Sequence, residues 1–310
     1  MITGAEAEAR LLLPLRSPGR QFESFTAAVR YLDRPTLFEN RPTFRLLEAG
    51  LSSANPRLRF SLGTYFEMID VSQAVGYELA SAMMAGHPLS IDQLAFRSLI
   101  GDPFDLQRRP TQIAVNALTI RRDPRSGTAT FVLHWRDPTK VAIGGGLYSV
   151  MPVGVFQPST VDPWGQRVDF DLWRNLVREF SEEFLGMPEH DGSSGAQIDY
   201  EMWPLYRTLT SARDAGRLRV HCFGLGIDPL GLGLDLLTAV VIDSDVFDAV
   251  FGDLVRVNAE GHVIANNDPN TAVGFPFVQE SVDRFTKAEP MGPGGAACLA
   301  LAWRHRHTLL

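Results

Sequence analysis

The stretch that most limits what this chain can fold into is residues 171–186, DLWRNLVREFSEEFLG. Placed on a helix, Leu172, Trp173, Leu176, Val177, Phe180 and Phe184 collect on one side as a stripe that must be covered by a core. Glu179, Glu182 and Glu183 stand at i, i+3 and i+4 and share a second face. Arg178 lies four residues before Glu182 and is expected to hydrogen-bond to it. Gly186 offers the left-handed residue at which such helices commonly stop.

Three carboxylates this close repel one another unless a cation sits among them. Hard divalent ions such as Mg²⁺ take oxygen ligands of this kind. A solvated acidic helix face is the plain alternative, and the residues alone leave both open.

The string REFSEE resembles the centre of the Nudix box, G-x5-E-x7-R-E-U-x-E-E-x-G-U with U apolar. Arg178, Glu179, Phe180, Glu182 and Glu183 match it position for position. Upstream, GGGLYSVMPVGVFQPS (144–159) is similar to the strand and loop that lead into that box, with Pro152 and Gly154 at its Pro-Gly-Gly turn. Counted from Gly154, the box departs from the pattern in three ways. Thr160 stands where the first glutamate belongs. Arg178 follows Gly154 by 24 residues, against 14 in the pattern. Two residues, Phe184 and Leu185, separate the paired glutamates from Gly186, against one.

The resemblance implies an α/β fold, a Nudix-like α/β/α sandwich with a mixed sheet over 111–310, preceded by a mainly helical extension over 1–110. It also implies a role for each matched residue. Glu182 and Glu183 would be ligands of Mg²⁺, or of Mn²⁺. Glu179 would be a further ligand or the base that takes a proton from water. Arg178 would orient a glutamate, and Gly154 would mark the turn beside the bound ion. The whole chain is also similar to actinobacterial proteins in which such a domain often follows a helix-turn-helix regulator; no helix-turn-helix is visible here.

Composition bounds the partners. A net charge of −7 with no basic block argues against direct contact with nucleic acid. It leaves a nucleotide open, because a bound metal supplies local positive charge. No apolar run is long enough to cross a bilayer and none near the N-terminus reads as a secretory signal, so a cytoplasmic protein without membrane contact is expected. Cys222 and Cys298 lie far apart in apolar surroundings, which predicts two buried free thiols.

Along the chain, a helix is expected around Phe22–Asp33, and the Arg-Pro pairs at 34–35 and 41–42 are expected to break regular structure. Residues 57–84 read as a short strand or turn and then an amphipathic helix, with Asp70 and Ser72 as its start signal. The extension should pack on the later domain or in a homodimer. GDPFDLQRRP (101–110) is the candidate boundary. Beyond it, 111–122 and 128–137 predict a hairpin around DPRSG. The segment 155–170 is an inserted loop, read as a carrier of selectivity or as a tolerated surface insertion. A flexible loop follows at 190–195, then a helix after Pro204, strands at 217–227 and 234–243, and a helix over 244–254. A helix starting near Pro276 and a terminal amphipathic helix over 297–310 complete the reading. The glycines at 224, 226, 231 and 233 make no dinucleotide fingerprint, and no phosphate loop or nucleophile elbow is present.

Two functions stay in view. One is a Mg²⁺-dependent hydrolase that cuts a nucleoside-diphosphate-linked, pyrophosphate-containing small molecule. The other is a non-catalytic ligand-binding sensor of the same fold that acts with a transcriptional regulator. A structural protein with an acidic helix is the third and plainest reading. Glu189, Asp228 and Asp243 are candidates for an extra acidic ligand from outside the box.

Overall fold

The computed structural model describes the 310 residues apart from 36–37, 53, 88, 140–144, 191–196, 253, 255–260 and 265–272. They divide into two units. The first comprises Met1–Ile113 with Ile227–Leu234, the second Ala114–Gly226 with Asp235–Leu310.

In the first unit, α1 (Glu6–Leu11) leads into a short hairpin, β1 (Leu15–Ser17) and β2 (Arg20–Gln21). Helix α2 (Phe25–Leu32) is capped by Ser24, whose Oγ accepts from the Ala27 amide at 3.0 Å. A longer antiparallel hairpin follows, β3 (Pro42–Gly50) with β4 (Arg57–Thr64). The extension is therefore not helical throughout. The proline at 42 does not break structure but opens a strand, where its missing N–H costs no ladder bond. Helix α3 (Tyr65–Met84) begins five residues before Asp70, because Glu67 reaches back to the Thr64 amide at 2.9 Å and closes the first turn there. Asp70 instead accepts from the Thr26 amide at 2.7 Å and ties α2 to α3. Helix α4 (Ala95–Ile100) completes this unit, whose core includes Ile2, Phe25, Val75, Phe96, Ile100 and Leu232.

The second unit is an α/β/α sandwich built on a mixed sheet. The expected hairpin forms, from β5 (Ile113–Arg122) and β6 (Ala129–Phe131), paired antiparallel with Ile120 opposite Phe131. Past Val132 the chain continues as β7 (Leu133–Arg136), which pairs with β8 (Tyr148–Val150). Then β9 (Val153–Val155) returns to β5, with Gly154 opposite Val115. Helices α5 (Pro163–Val168), α6 (Leu172–Leu185) and α7 (Pro204–Asp214) come next, followed by β10 (Leu218–Ile227), β11 (Leu234–Asp243) and α8 (Ser244–Phe251). Strand β12 (Gly261–Ile264) pairs with β7, and β13 (Phe275–Pro276) with β6. The chain ends in α9 (Gln279–Asp283), α10 (Pro293–Arg304) and α11 (Arg306–Leu309). The main sheet runs in the order β10-β11-β5-β6-β13, with β9 also on β5.

Alternation along the central strands feeds two cores. Ala117, Val240 and Ile242 pack with Trp173, Leu176, Val177, Phe180 and Phe184 of α6 and with residues of α7 and α8. Leu118, Ile120, Leu237, Ala239 and Val241 point the other way, onto Phe285, Cys298, Leu299 and Ala302. Burying that many large side chains, at about 25 cal/mol per Å² of apolar surface, is what holds helices to both faces.

Several expectations are corrected. Pro276 belongs to a strand, and the helix after it starts at Gln279. The terminal helix starts earlier, at Pro293, and breaks at His305. Cys298 is buried but Cys222 is exposed, because β10 is the outer strand of the sheet and its neighbours Val220 and Cys222 face solvent. The loop expected at 190–195 lies outside the described residues except for His190. No helix among the described residues is long and apolar enough to cross a membrane.

Candidate functional site

Helix α6 starts and stops where its ends are satisfied. Asp171 Oδ1 accepts from the Trp173 and Arg174 amides at 2.7 and 3.2 Å, and Gly186 closes the other end at φ 64°. The apolar stripe fixes the roll of the helix, and with it the direction of every polar side chain. The acidic face is not a solvated one. Glu183 is only 6% exposed, while Glu179 and Glu182 are half-buried.

Two of the three glutamates go to the same strand. Glu183 Oε1 accepts from the Val153 amide of β9 at 2.8 Å. The Glu179 carboxyl lies directly on Gly154, so closely that a methyl group there would overlap it. This explains a glycine at 154 without any demand for unusual dihedrals; what it provides is room. Glu182 points elsewhere. Its Oε1 accepts from the His190 amide at 2.9 Å, on the segment that leaves the helix, and the His190 ring packs edge-on against Trp203 at 5.1 Å.

Arg178 departs from expectation. Its guanidinium does not reach Glu182 but turns into a buried network toward the N-terminal end of the helix. Nη1 donates to Asp169 Oδ1 at 3.2 Å and to the Tyr200 hydroxyl at 2.6 Å. Nη2 donates to the Gln157 carbonyl at 2.6 Å and to Asn175 Oδ1 at 3.1 Å. The physical reason is partner availability: Asp169, 2% exposed, is the nearer buried charge and needs a cation. Tyr200 donates to the same Asp169 oxygen at 2.6 Å, and burial pushes its phenol above its ordinary range. The other Asp169 oxygen accepts from Ser159 N and Oγ, both at 2.7 Å.

Asp169 is the residue that reasoning from sequence missed. It sits in the inserted segment, nine residues before Arg178, where the box pattern has its first glutamate eight before its arginine. Thr160, counted forward from Gly154, only accepts from the Asp162 amide in a local turn at 3.1 Å. Counting eight back from the arginine lands on Phe170, between Asp169 and Asp171, so the spacing alone does not single out the acid. The insertion is also not a mere surface excursion, since Ser159 and Asp169 are buried and bonded through Arg178 to α6.

The three outside candidates are placed as follows. Asp243 pairs with Arg122 at 3.5 Å, and Asp228 folds its own turn by accepting from Leu230 and Gly231 amides. Glu189 is exposed beside His190. Among the described residues, no group of three or more His, Cys, Asp or Glu side chains is arranged to hold a metal ion. The donor set at β9 suits a hard divalent ion as a pair of carboxylates, Glu179 and Glu183, with the third glutamate tied to the His190 amide.

No protein-family model matches the chain, and no curated protein does. Among solved structures, it is similar to one titled "Crystal structure of a mutT/nudix family protein from Listeria innocua". That likeness covers 65% of this chain and 97% of the other, at 15% identity and a TM-score of 0.33. At that score it carries no functional argument.

Proposed function

We propose that this chain is a divalent-cation-dependent hydrolase of a small, pyrophosphate-linked substrate of the nucleoside diphosphate class, acting where α6 meets β9. The observation that carries the reading is the pair Glu179 and Glu183, brought to adjacent residues of one strand. Glu179 and Glu183 would hold Mg²⁺ or Mn²⁺, while Glu182 is turned toward the His190 amide. A divalent ion held there would supply neutralisation of phosphate charge and a lowered pKa for water, so that hydroxide is available as the nucleophile. Glu179, pressed on Gly154 and half-exposed, would serve either as that ligand or as the base that takes a proton from water. Glu183 is held in line by the Val153 amide. Arg178 works at one remove, locking α6 to the 157–170 segment through Asp169 and Tyr200.

The second reading, a non-catalytic sensor that acts with a transcriptional regulator, has specific support of its own. Arg178 is spent on a buried network, and Glu182 is spent on the segment after the helix. Neither is poised toward a ligand.

The full chain with Mg²⁺ or Mn²⁺, assayed against a panel of nucleoside diphosphate derivatives for released phosphate products, separates them. Metal-dependent turnover is expected, lowered about 100-fold or more in Glu179→Gln. Binding of either ion should also raise the melting temperature, less so at lower pH because protons compete for the carboxylates. If the metal raises the melting temperature and no substrate turns over, the sensor reading replaces the enzyme. If millimolar metal changes neither, the acidic pair is structural.

A further inference from the structure

Helix α3 is apolar on two opposite faces. Val71, Ser72 and Val75 turn inward and are buried, followed by the half-buried Leu79 and Ala82. The other face carries Tyr77, Ala80, Ser81 and Met84, at i, i+3, i+4 and i+7, and all four are exposed. A surface helix normally places charge on that side. Between residues 71 and 91 the one charged residue is Glu78. Its two carboxylate oxygens accept from the Phe96 and Arg97 amides at 2.6 and 3.0 Å, so it is tied within its own unit.

The last two turns of α3 stand clear of the rest of the chain. From Ala80 to His87 every side chain but Ala82 is exposed. The helix end is nevertheless well formed. Gly86, at φ 67°, and His87 donate to the Met83 and Ala82 carbonyls at 3.1 and 3.0 Å, and Tyr77 is braced by the Phe25 ring at 5.4 Å. Met84 is 90% exposed, Tyr77, Met83 and Ile91 58%, and Leu89 54%. At roughly 100 Å² apiece, these five side chains offer about 500 Å² per chain. Two copies would bury about 1,000 Å² together, the area at which a specific interface becomes stable.

We propose that the outer face of α3 is the contact of a homodimer, in which the helices of two copies cross antiparallel about a two-fold axis between Ala80 and Ser81. The stripe reads large, small, small, large, the same in both directions. Such an axis sets Ala80 of one copy against Ser81 of the other, where small side chains let the backbones approach. It also sets Tyr77 against Met84, a sulfur-to-ring contact, and makes every contact twice. No like charges are brought together, because the stripe holds none. A membrane surface fits less well, since it calls for Lys or Arg beside the apolar residues and none lies between 71 and 91.

Sedimentation velocity of the full chain over a range of concentrations tests this. A monomer–dimer equilibrium with a Kd of about 10 µM or tighter is expected. Met84→Glu should weaken it by about tenfold or more, by setting a carboxylate against each Tyr77. Met84 is exposed, so the melting temperature of the variant at a concentration where the parent is monomeric should match the parent; if it falls, Ala80→Glu serves in its place. The double variant Tyr77→Cys, Met84→Cys, in a Cys222→Ser background, should form a covalent dimer on mild oxidation. Within one chain these positions are about 10 Å apart along the helix, too far for a disulfide, and they meet only across the axis. The proposal is overturned if the parent stays monomeric to about 100 µM, or if its dimer is indifferent to both Met84→Glu and Ala80→Glu. Assembly that grows past two copies, or a double-cysteine variant that does not cross-link, overturns it equally.

Discussion

Arg178 and Asp169 form an ion pair in which each side chain is almost fully buried, and neither tolerates the loss of the other. An isolated charge at that depth has no water to replace its partner. Asp169→Ala is therefore expected to cost roughly 3–5 kcal/mol in urea unfolding, well beyond the effect of an exposed pair. Tyr200 gives the same network a pH dependence. Burial raises its folded pKa above the ordinary value of 10.0, so the folded state keeps a proton that the unfolded chain releases. Its contribution is fully present below pH 10 and is lost as pH climbs beyond that. Stability of the parent should fall as pH rises above 10, and Tyr200→Phe should fall less steeply there while starting about 1–2 kcal/mol lower. Parallel slopes for the two proteins in urea titrations would remove Tyr200 from that account.

At the scale of elements, the contact between α6 and β9 positions the candidate site. Gly154 is there because Glu179 occupies the volume of its missing side chain. Gly154→Ala should destabilise by about 1–3 kcal/mol, as overpacking does, and should displace Glu179. Shortening the glutamate restores the room, so Gly154→Ala should cost much less in a Glu179→Ala background. A double-mutant cycle measures that coupling, and additive costs would show that the two residues do not compete for one space. The box-like string over 178–183 was legible because its helical period is a local property. The destination of each carboxylate was not, because i, i+3 and i+4 positions diverge by enough that one strand can collect Glu179 and Glu183 and leave Glu182 to the His190 amide.

For the whole molecule, the division into units does not follow the order of the chain. The turn Ile227–Leu234 joins two strands of the second unit yet belongs to the first. Its Leu232 is buried in the first unit's core, at a φ of 57° that a leucine adopts only when burial compensates the strain. The Pro229 and Leu230 carbonyls accept from the Arg97 guanidinium. A fragment of residues 1–113 would lack all of this. It is expected to melt broadly and well below the full chain by circular dichroism, and Leu232→Ala in the full chain should cost about 2–5 kcal/mol. A sharp transition for the fragment at the full-chain temperature would show that the unit is complete without the turn.

What the sequence alone determined is the set of features written in short-range periods. These are the amphipathic α6 with its Gly186 stop, the β5–β6 hairpin about its turn, the strand runs of β10 and β11, and hence an α/β class. Such features depend on which side chains recur every two or about 3.6 residues, and the eye can read that from the order of residues. The β3–β4 hairpin, the true start of α3, the exposure of Cys222 and the partner of Arg178 were decided only by tertiary structure. Each depends on what lies beside a residue in space. Pro42 is tolerated because it opens a strand, Cys222 is exposed because β10 ends the sheet among the described residues, and Arg178 turns to Asp169 because folding buries that carboxylate beside it. A buried charge takes whichever opposite charge the fold brings within reach, and distance along the chain does not enter that choice.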